Sequence, residues 1–175
     1  ERFVRPVRWL VALFGQDVVP VTFANVTSSN VSRGHRFLGE SELTIGEPKD
    51  YVDTLTKNFI MIDQDVRRET IRKQLTELAA TKGATVVWDE DLLDEVTFLV
   101  EYPTALCGTF DESYLSLPSD CIITPMKDHQ RYFPMVDGKG KLLPMFLTVR
   151  NGDSKSLDVV AAGNERVLRA RLDDA

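Results

Sequence analysis

Apolar positions along this chain switch between two periods. Residues 7–14 (Val-Arg-Trp-Leu-Val-Ala-Leu-Phe) are apolar and β-prone, Gly15-Gln16-Asp17 interrupts them, and Val18 to Val26 resumes the pattern. This predicts one β-hairpin with a short glycine-containing loop. Pro20 lies in its second arm and cannot donate to a ladder, so that arm is expected at an edge. Leu43-Thr44-Ile45 reads as a short strand, Pro48-Lys49-Asp50 opens a helical stretch, and Phe59-Ile60-Met61-Ile62 reads as a strand. A helix follows, capped by Asp63, with Ile71, Leu75 and Leu78 on one stripe and Gly83 at its end. A strand from Ala84 to Trp88 leads to a helix capped by Asp89, with Leu92, Leu93, Val96, Leu99 and Val100 on one face.

Thr104 to Phe110 reads as a strand, and Ser119 as the cap of a helix over 120–130 that Pro125 should kink or shorten. Tyr132–Val136 and Leu142–Val149 flank Asp137-Gly138-Lys139-Gly140, a hairpin signal. A last helix is expected from about Ser156, interrupted by Gly163, with Val167, Leu168 and Leu172 as its apolar face. Hairpins and helices do not alternate regularly. The pattern therefore predicts an α+β fold with a mainly antiparallel or mixed sheet and packed helices. The expected division is an α+β domain over 1–152 and a helical segment over 153–175 leading towards a following domain.

With 175 residues, 43% of them hydrophobic and 27% charged, the chain is long enough to bury a core without disulfides or metal. No apolar run approaches a membrane span, and Glu1–Pro6 has no signal-peptide core. The first residue is not Met, so a piece of a longer polypeptide is expected. Cys107 and Cys121 fit a reducing, cytoplasmic setting and read as small apolar residues. Net charge is −6, but residues 1–39 carry +3, residues 40–120 carry −11 and residues 121–175 carry +2. Two mildly basic ends thus flank an acidic middle, which is either a set of solvated helix faces or the side turned away from an anionic partner.

No phosphate-loop, dinucleotide, zincin or hydrolase-elbow motif occurs. Gly138-Lys139-Gly140-Lys141 is better explained as a turn than as a phosphate cradle, and Asp89-Glu90-Asp91 as first-turn carboxylates. Three clusters stand out. Arg33-Gly34-His35-Arg36-Phe37 offers two guanidiniums and an imidazole suited to phosphate oxygens. Lys127-Asp128-His129-Gln130-Arg131-Tyr132-Phe133 interleaves cations with rings that could stack on bases. Arg166 and Arg169, three apart on the last helix, share a face. For each, the plainer alternative is a solvated or core role.

In combination these clusters resemble the β subunit of bacterial heterotetrameric glycyl-tRNA synthetase. The resemblance rests on Arg5-Pro6-Val7-Arg8-Trp9, Arg33–Gly39, Leu92–Val96, Leu99–Pro103, His129–Phe133, Gly140–Pro144 and Gly163–Leu172. Pro125 is atypical, and Arg131 stands where Lys is common. The resemblance implies an α2β2 ligase that joins glycine to its tRNA with ATP and Mg, both expected on the α subunit. The implied partners are that subunit, glycine tRNA and the remaining β domains, with no membrane. No catalytic residue carries over to this piece.

The first functional expectation is an accessory tRNA-binding domain using Arg33, His35, Arg36, Lys127, His129, Gln130, Arg131, Tyr132, Arg166 and Arg169. The alternative is a scaffold or interface domain for α–β assembly. A third reading is hydrolysis of mischarged tRNA with His129 as base near Asp128 or Glu165.

Overall fold

The computed structural model describes residues 5–174. The chain divides into two compact units, Glu1–Ile62 and Asp63–Ala175.

In unit 1, β1 (Leu13–Phe14) and β2 (Asp17–Val18) pair antiparallel around Gly15-Gln16, with Gly15 at φ 59° as a two-residue loop requires. β3 (Thr22–Phe23) and β4 (Val26–Thr27) form a second hairpin around Ala24 and Asn25, at φ 50° and 62°. The single expected hairpin is therefore two. The break falls at Pro20, and Ser28 bridges it. Ser28 Oγ donates to Val19 O at 2.6 Å and accepts from Val21 N at 2.9 Å.

β5 (Val31–Ser32) pairs with β6 (Leu43–Thr44), and a 3-10 turn at Pro48–Asp50 leads into α1 (Tyr51–Lys57). The strand expected over Phe59–Ile62 is not formed. Phe59 takes φ 61°, its N–H donates to Thr56 O, and Ile60 N–H donates to Leu55 O. Phe59 and Ile60 are taken up by the turn that follows the Asn58 C-cap of α1, which breaks the extended run.

Unit 2 contains α2 (Gln64–Thr81), β7 (Thr85–Val86), α3 (Glu90–Leu99), β8 (Pro103–Thr109) and α4 (Ser119–Thr124), then β9 (Phe133–Val136), β10 (Leu142–Asn151) and α5 (Leu157–Asp173). Asp63 caps α2 by accepting from Asp65 N and Val66 N, and Asp89 caps α3 by accepting from Leu92 N. The strands form one antiparallel sheet in the order β7-β9-β10-β8. The fold is α+β, as the pattern predicts.

Alternation along the strands sends neighbouring side chains to opposite faces. On one face, Ile71, Leu75 and Ala79 of α2 and Leu92, Leu93 and Val96 of α3 cover Phe133, Met135 and Leu147. In a second core, Leu168 and Leu172 of α5 join Ile122, Met126, Tyr132 and Phe146. Gly108 lies opposite Phe146, whose ring would stand 2.3 Å from a Cβ at that position. The edge strand β8 is closed by side chains. Gln74 accepts from Ala105 N at 2.7 Å, and Glu165 accepts from Thr109 N at 2.8 Å. This blunts the edge against pairing with another strand.

Pro125 shortens its helix as expected: the α-helical hydrogen bonding stops at Thr124, and Pro125–His129 continues as a π-turn. Two other local expectations change. Pro118, not Ser119, occupies the N-cap position of α4. Gly163 does not interrupt α5, which packs within unit 2 through Leu168 and Leu172.

Candidate functional site

The Arg33–Phe37 loop lies in unit 1 between β5 and β6. Its shape is set by Gly34 and Gly39, and by close approach rather than by left-handed backbone. A Cβ on Gly34 would stand 2.9 Å from Asn58 Cβ, and one on Gly39 would stand 2.5 Å from Asn58 O. Gly34 N–H donates to Glu40 O, His35 N–H to Asn58 O and Gly39 N–H to His35 O. Asn58 Oδ1 accepts from Glu40 N, and its amide donates to Thr54 O. The end of α1 thus clamps both sides of the loop.

His35 is 3% exposed, and its Nδ1 accepts from Phe37 N at 3.3 Å. It supports the loop and is not offered to solvent, which corrects the expectation of an imidazole beside the guanidiniums at the surface. Arg33 and Arg36 are exposed, and neither has a carboxylate partner among the described residues. Each instead lies over an aromatic ring: Arg33 over Trp9 at 5.1 Å and Arg36 over Phe37 at 5.5 Å. Phe37 is 81% exposed. The loop therefore presents unneutralised cations together with accessible rings.

The cluster around Lys127 is different. α3 has five carboxylates at or near its start and one face, Asp89, Glu90, Asp91, Asp94 and Glu95, and no basic residue. Lys127 Nζ pairs with Asp89, and Arg131 Nε pairs with Glu95 at 2.6 Å. Arg131 also donates to Asp128 O and sits at φ 60°. The Lys127 ammonium, hydrogen-bonded to Asp89, holds that carboxyl below the usual range, helped by the Leu92 N–H. Arg68 and Arg72 of α2 take Glu90, and Arg68 also takes Asp94 at 2.6 Å. Four of the five α3 carboxylates are thus paired with cations within unit 2.

Tyr132 is 4% exposed and stacks on Phe146, with centroids 4.5 Å apart and planes 12° apart. Burial pushes its phenol up to about 12. Tyr132 is therefore a core residue, not a stacking platform. Phe133 meets Trp88 edge-on in the other core. His129 is exposed and Gln130 half-buried, and no ion pair or side-chain hydrogen bond reaches the His129 ring among the described residues. Among the described residues no carboxylate is placed to orient it as a base.

On α5, Arg166 and Arg169 are exposed and line an open groove with Thr109, Asp111, Ser113 and Tyr114. Arg169 lies 3.7 Å from Asp173, which also accepts from the Tyr114 hydroxyl and so holds that phenol above its usual range. Arg166 has no carboxylate partner among the described residues. The groove carries as many acids as bases, so its field is close to neutral.

Of the ten residues predicted for the site, the structure brings together Arg33 and Arg36 in unit 1, Lys127 and Arg131 against α3, and Arg166 with Arg169 on α5. Sequence reasoning omitted Trp9 and Phe37 from the site. Phe37 had a signal, since it abuts Arg36. Trp9 is 24 positions before Arg33, and nothing local announces their contact.

The whole chain, residues 1–175, matches the family model described as glycyl-tRNA synthetase beta subunit. The chain belongs to that family. It is 53% identical over 174 residues to the glycine–tRNA ligase beta subunit of Desulforamulus reducens. Identity is 55% to that of Clostridioides difficile and 52% to that of Listeria monocytogenes. In each case the match covers 99% of this chain and 25% of the relative, so the chain spans about a quarter of the length of these relatives. No helix among the described residues is long and apolar enough to cross a membrane.

Proposed function

We propose that this chain is an accessory, RNA-contacting part of the β subunit of a glycine–tRNA ligase, with the Arg33–Phe37 loop as its contact. The ligation itself, with its ATP and Mg, is assigned to the α subunit of a cytoplasmic α2β2 enzyme. The observation that carries the reading is the exposure of Arg33 and Arg36, without carboxylate partners, beside an exposed Phe37. Looped or single-stranded RNA is bound by this combination: guanidinium for phosphate oxygens and a ring face for an unstacked base. Lys127 and Arg131 are not offered for this role because α3 neutralises them. Among the described residues no three His, Cys, Asp or Glu side chains are placed to hold a metal ion.

The test is binding of glycine tRNA to the full-length β subunit across a salt series, followed by fluorescence anisotropy. Reversing Arg33 and Arg36 to Glu is expected to weaken binding at least tenfold. It should also flatten the slope of log K against log salt by roughly 0.7–0.9 per lost phosphate contact. Reversing Lys127 and Arg131 should change neither. An unchanged slope on reversing Arg33 and Arg36 rejects the loop as the contact.

A further inference from the structure

From Trp9 to Ser32 the sequence carries one charged residue, Asp17. Every residue from Phe14 to Ala24 in the double hairpin is exposed. Phe14 is 81% exposed, Phe23 48% and Val21 45%. Each hairpin pairs two strands of two residues, extended by one further backbone bond, Val19 N–H to Ala12 O in the first and Ser28 N–H to Val21 O in the second. An exposed surface that is apolar and carries few charges has the composition of an interface centre, from which charges are depleted.

We infer that this double hairpin, β1 to β4, is a docking element covered by the remaining part of its own β polypeptide. The matched relatives are about four times as long as this chain, so most of such a polypeptide lies outside it. Covering in cis draws on an effective concentration in the millimolar range, which a separate partner at cellular concentration does not reach. The hairpin segment carries no cation of its own, and the Glu47 carboxylate accepts from Gln16 at its first turn, so the covering surface is expected to be apolar protein, and nucleic acid, which needs cations, is disfavoured. The inference is independent of the RNA reading, which concerns a different segment.

The test uses the full-length β subunit without α, carrying Val19→Cys or, as an exposed reference in the β9–β10 turn, Lys139→Cys. Maleimide labelling is followed peptide by peptide by mass spectrometry. The expected result is labelling at position 19 at least tenfold slower than at position 139, independent of protein concentration. Adding Phe14→Asp and Phe23→Asp should restore fast labelling at position 19. Amide exchange in the unit 2 core should stay unchanged, which separates undocking from unfolding. Equal labelling rates at the two sites overturn the inference. So does protection that appears only when α is added, which assigns the surface to the other subunit. Protection that grows with β concentration overturns it too, assigning the surface to a second copy.

Discussion

In unit 2 both faces of a four-stranded sheet are packed, and Phe133, Phe146, Met135 and Leu147 are fully buried. Among the described residues of unit 1 the buried apolar ones are Leu43, Ile45 and Leu55, while Phe14, Phe23 and Phe37 face outward. The charges divide in the same way. Unit 1 has seven basic and seven acidic residues, so unit 2 carries the whole net charge of −6. Yet Arg68, Arg72, Lys127 and Arg131 of unit 2 are paired with α3 carboxylates, while Arg33 and Arg36 of unit 1 have no carboxylate partner among the described residues. A local excess of basic residues in the sequence is therefore a poor guide to available positive charge. What matters is whether a carboxylate-bearing helix packs beside them.

The largest expected effect probes the core of unit 2. Phe146→Ala removes the ring that Tyr132 stacks on and that fills the space above Gly108. It should cost about 3–5 kcal/mol in denaturant unfolding of this chain. A loss under 1 kcal/mol would mean that the second core is not packed as described.

The next effect is pH-dependent. The Tyr132 phenol is raised to about 12 by burial, against an ordinary value near 10. The folded state therefore holds this proton more tightly than the unfolded chain does. Its contribution is fully present below pH 10 and is lost as pH rises from about 10 to 12. The loss should reach roughly 2–3 kcal/mol. Comparing wild type with Tyr132→Phe across that range isolates it, because the variant keeps the stack and lacks the proton. Parallel stability curves for the two proteins would show that the phenol is not buried in solution.

In unit 1 the corresponding constraint is backbone against backbone. Gly39→Ala places a Cβ 2.5 Å from Asn58 O, an atom of the α1 cap that cannot swing away. A cost of about 1–3 kcal/mol is expected, the range for overpacking. Hydrogen exchange at the Gly34 and His35 amides should report it, since both are bonded within this clamp. Unchanged protection there would show that the loop is not held by Asn58.

These positions also show how much the sequence disclosed. The helices of unit 2 were legible because Asp63, Gly83 and Asp89 mark their ends and their apolar stripes repeat at helical spacing. The α+β class followed from the same signals. Phe59–Ile62 misled because a C-cap and a short strand can share an apolar run, and only the hydrogen bonds to Leu55 and Thr56 separate them. The Lys127 cluster misled because its neutralising partners, Asp89 and Glu95, are more than 30 positions away. The exposure of Arg33 beside Trp9 was hidden for the same reason. Sequence shows which charges exist, while pairing is a long-range property.

The second hairpin of unit 1 was missed for a local reason, and that reason gives the smallest and sharpest prediction. A two-residue loop with positive φ at both positions favours Asn-Gly or Asp-Gly, and this chain has Ala24-Asn25. Left-handed backbone costs Ala about 1–2 kcal/mol because its Cβ crowds the carbonyl oxygen. Ala24→Gly removes that strain but adds about 0.4–1 kcal/mol of unfolded-state entropy. The strain is the larger quantity, so a net stabilisation of roughly 0.5–1 kcal/mol is expected, read as slower amide exchange within β3 and β4. Asn25→Gly should gain less, because Asn tolerates this region. If both variants exchange faster than wild type, the Ala24-Asn25 turn is not left-handed in solution. The two short hairpins would then give way to the single longer one that the hydrophobic pattern suggests.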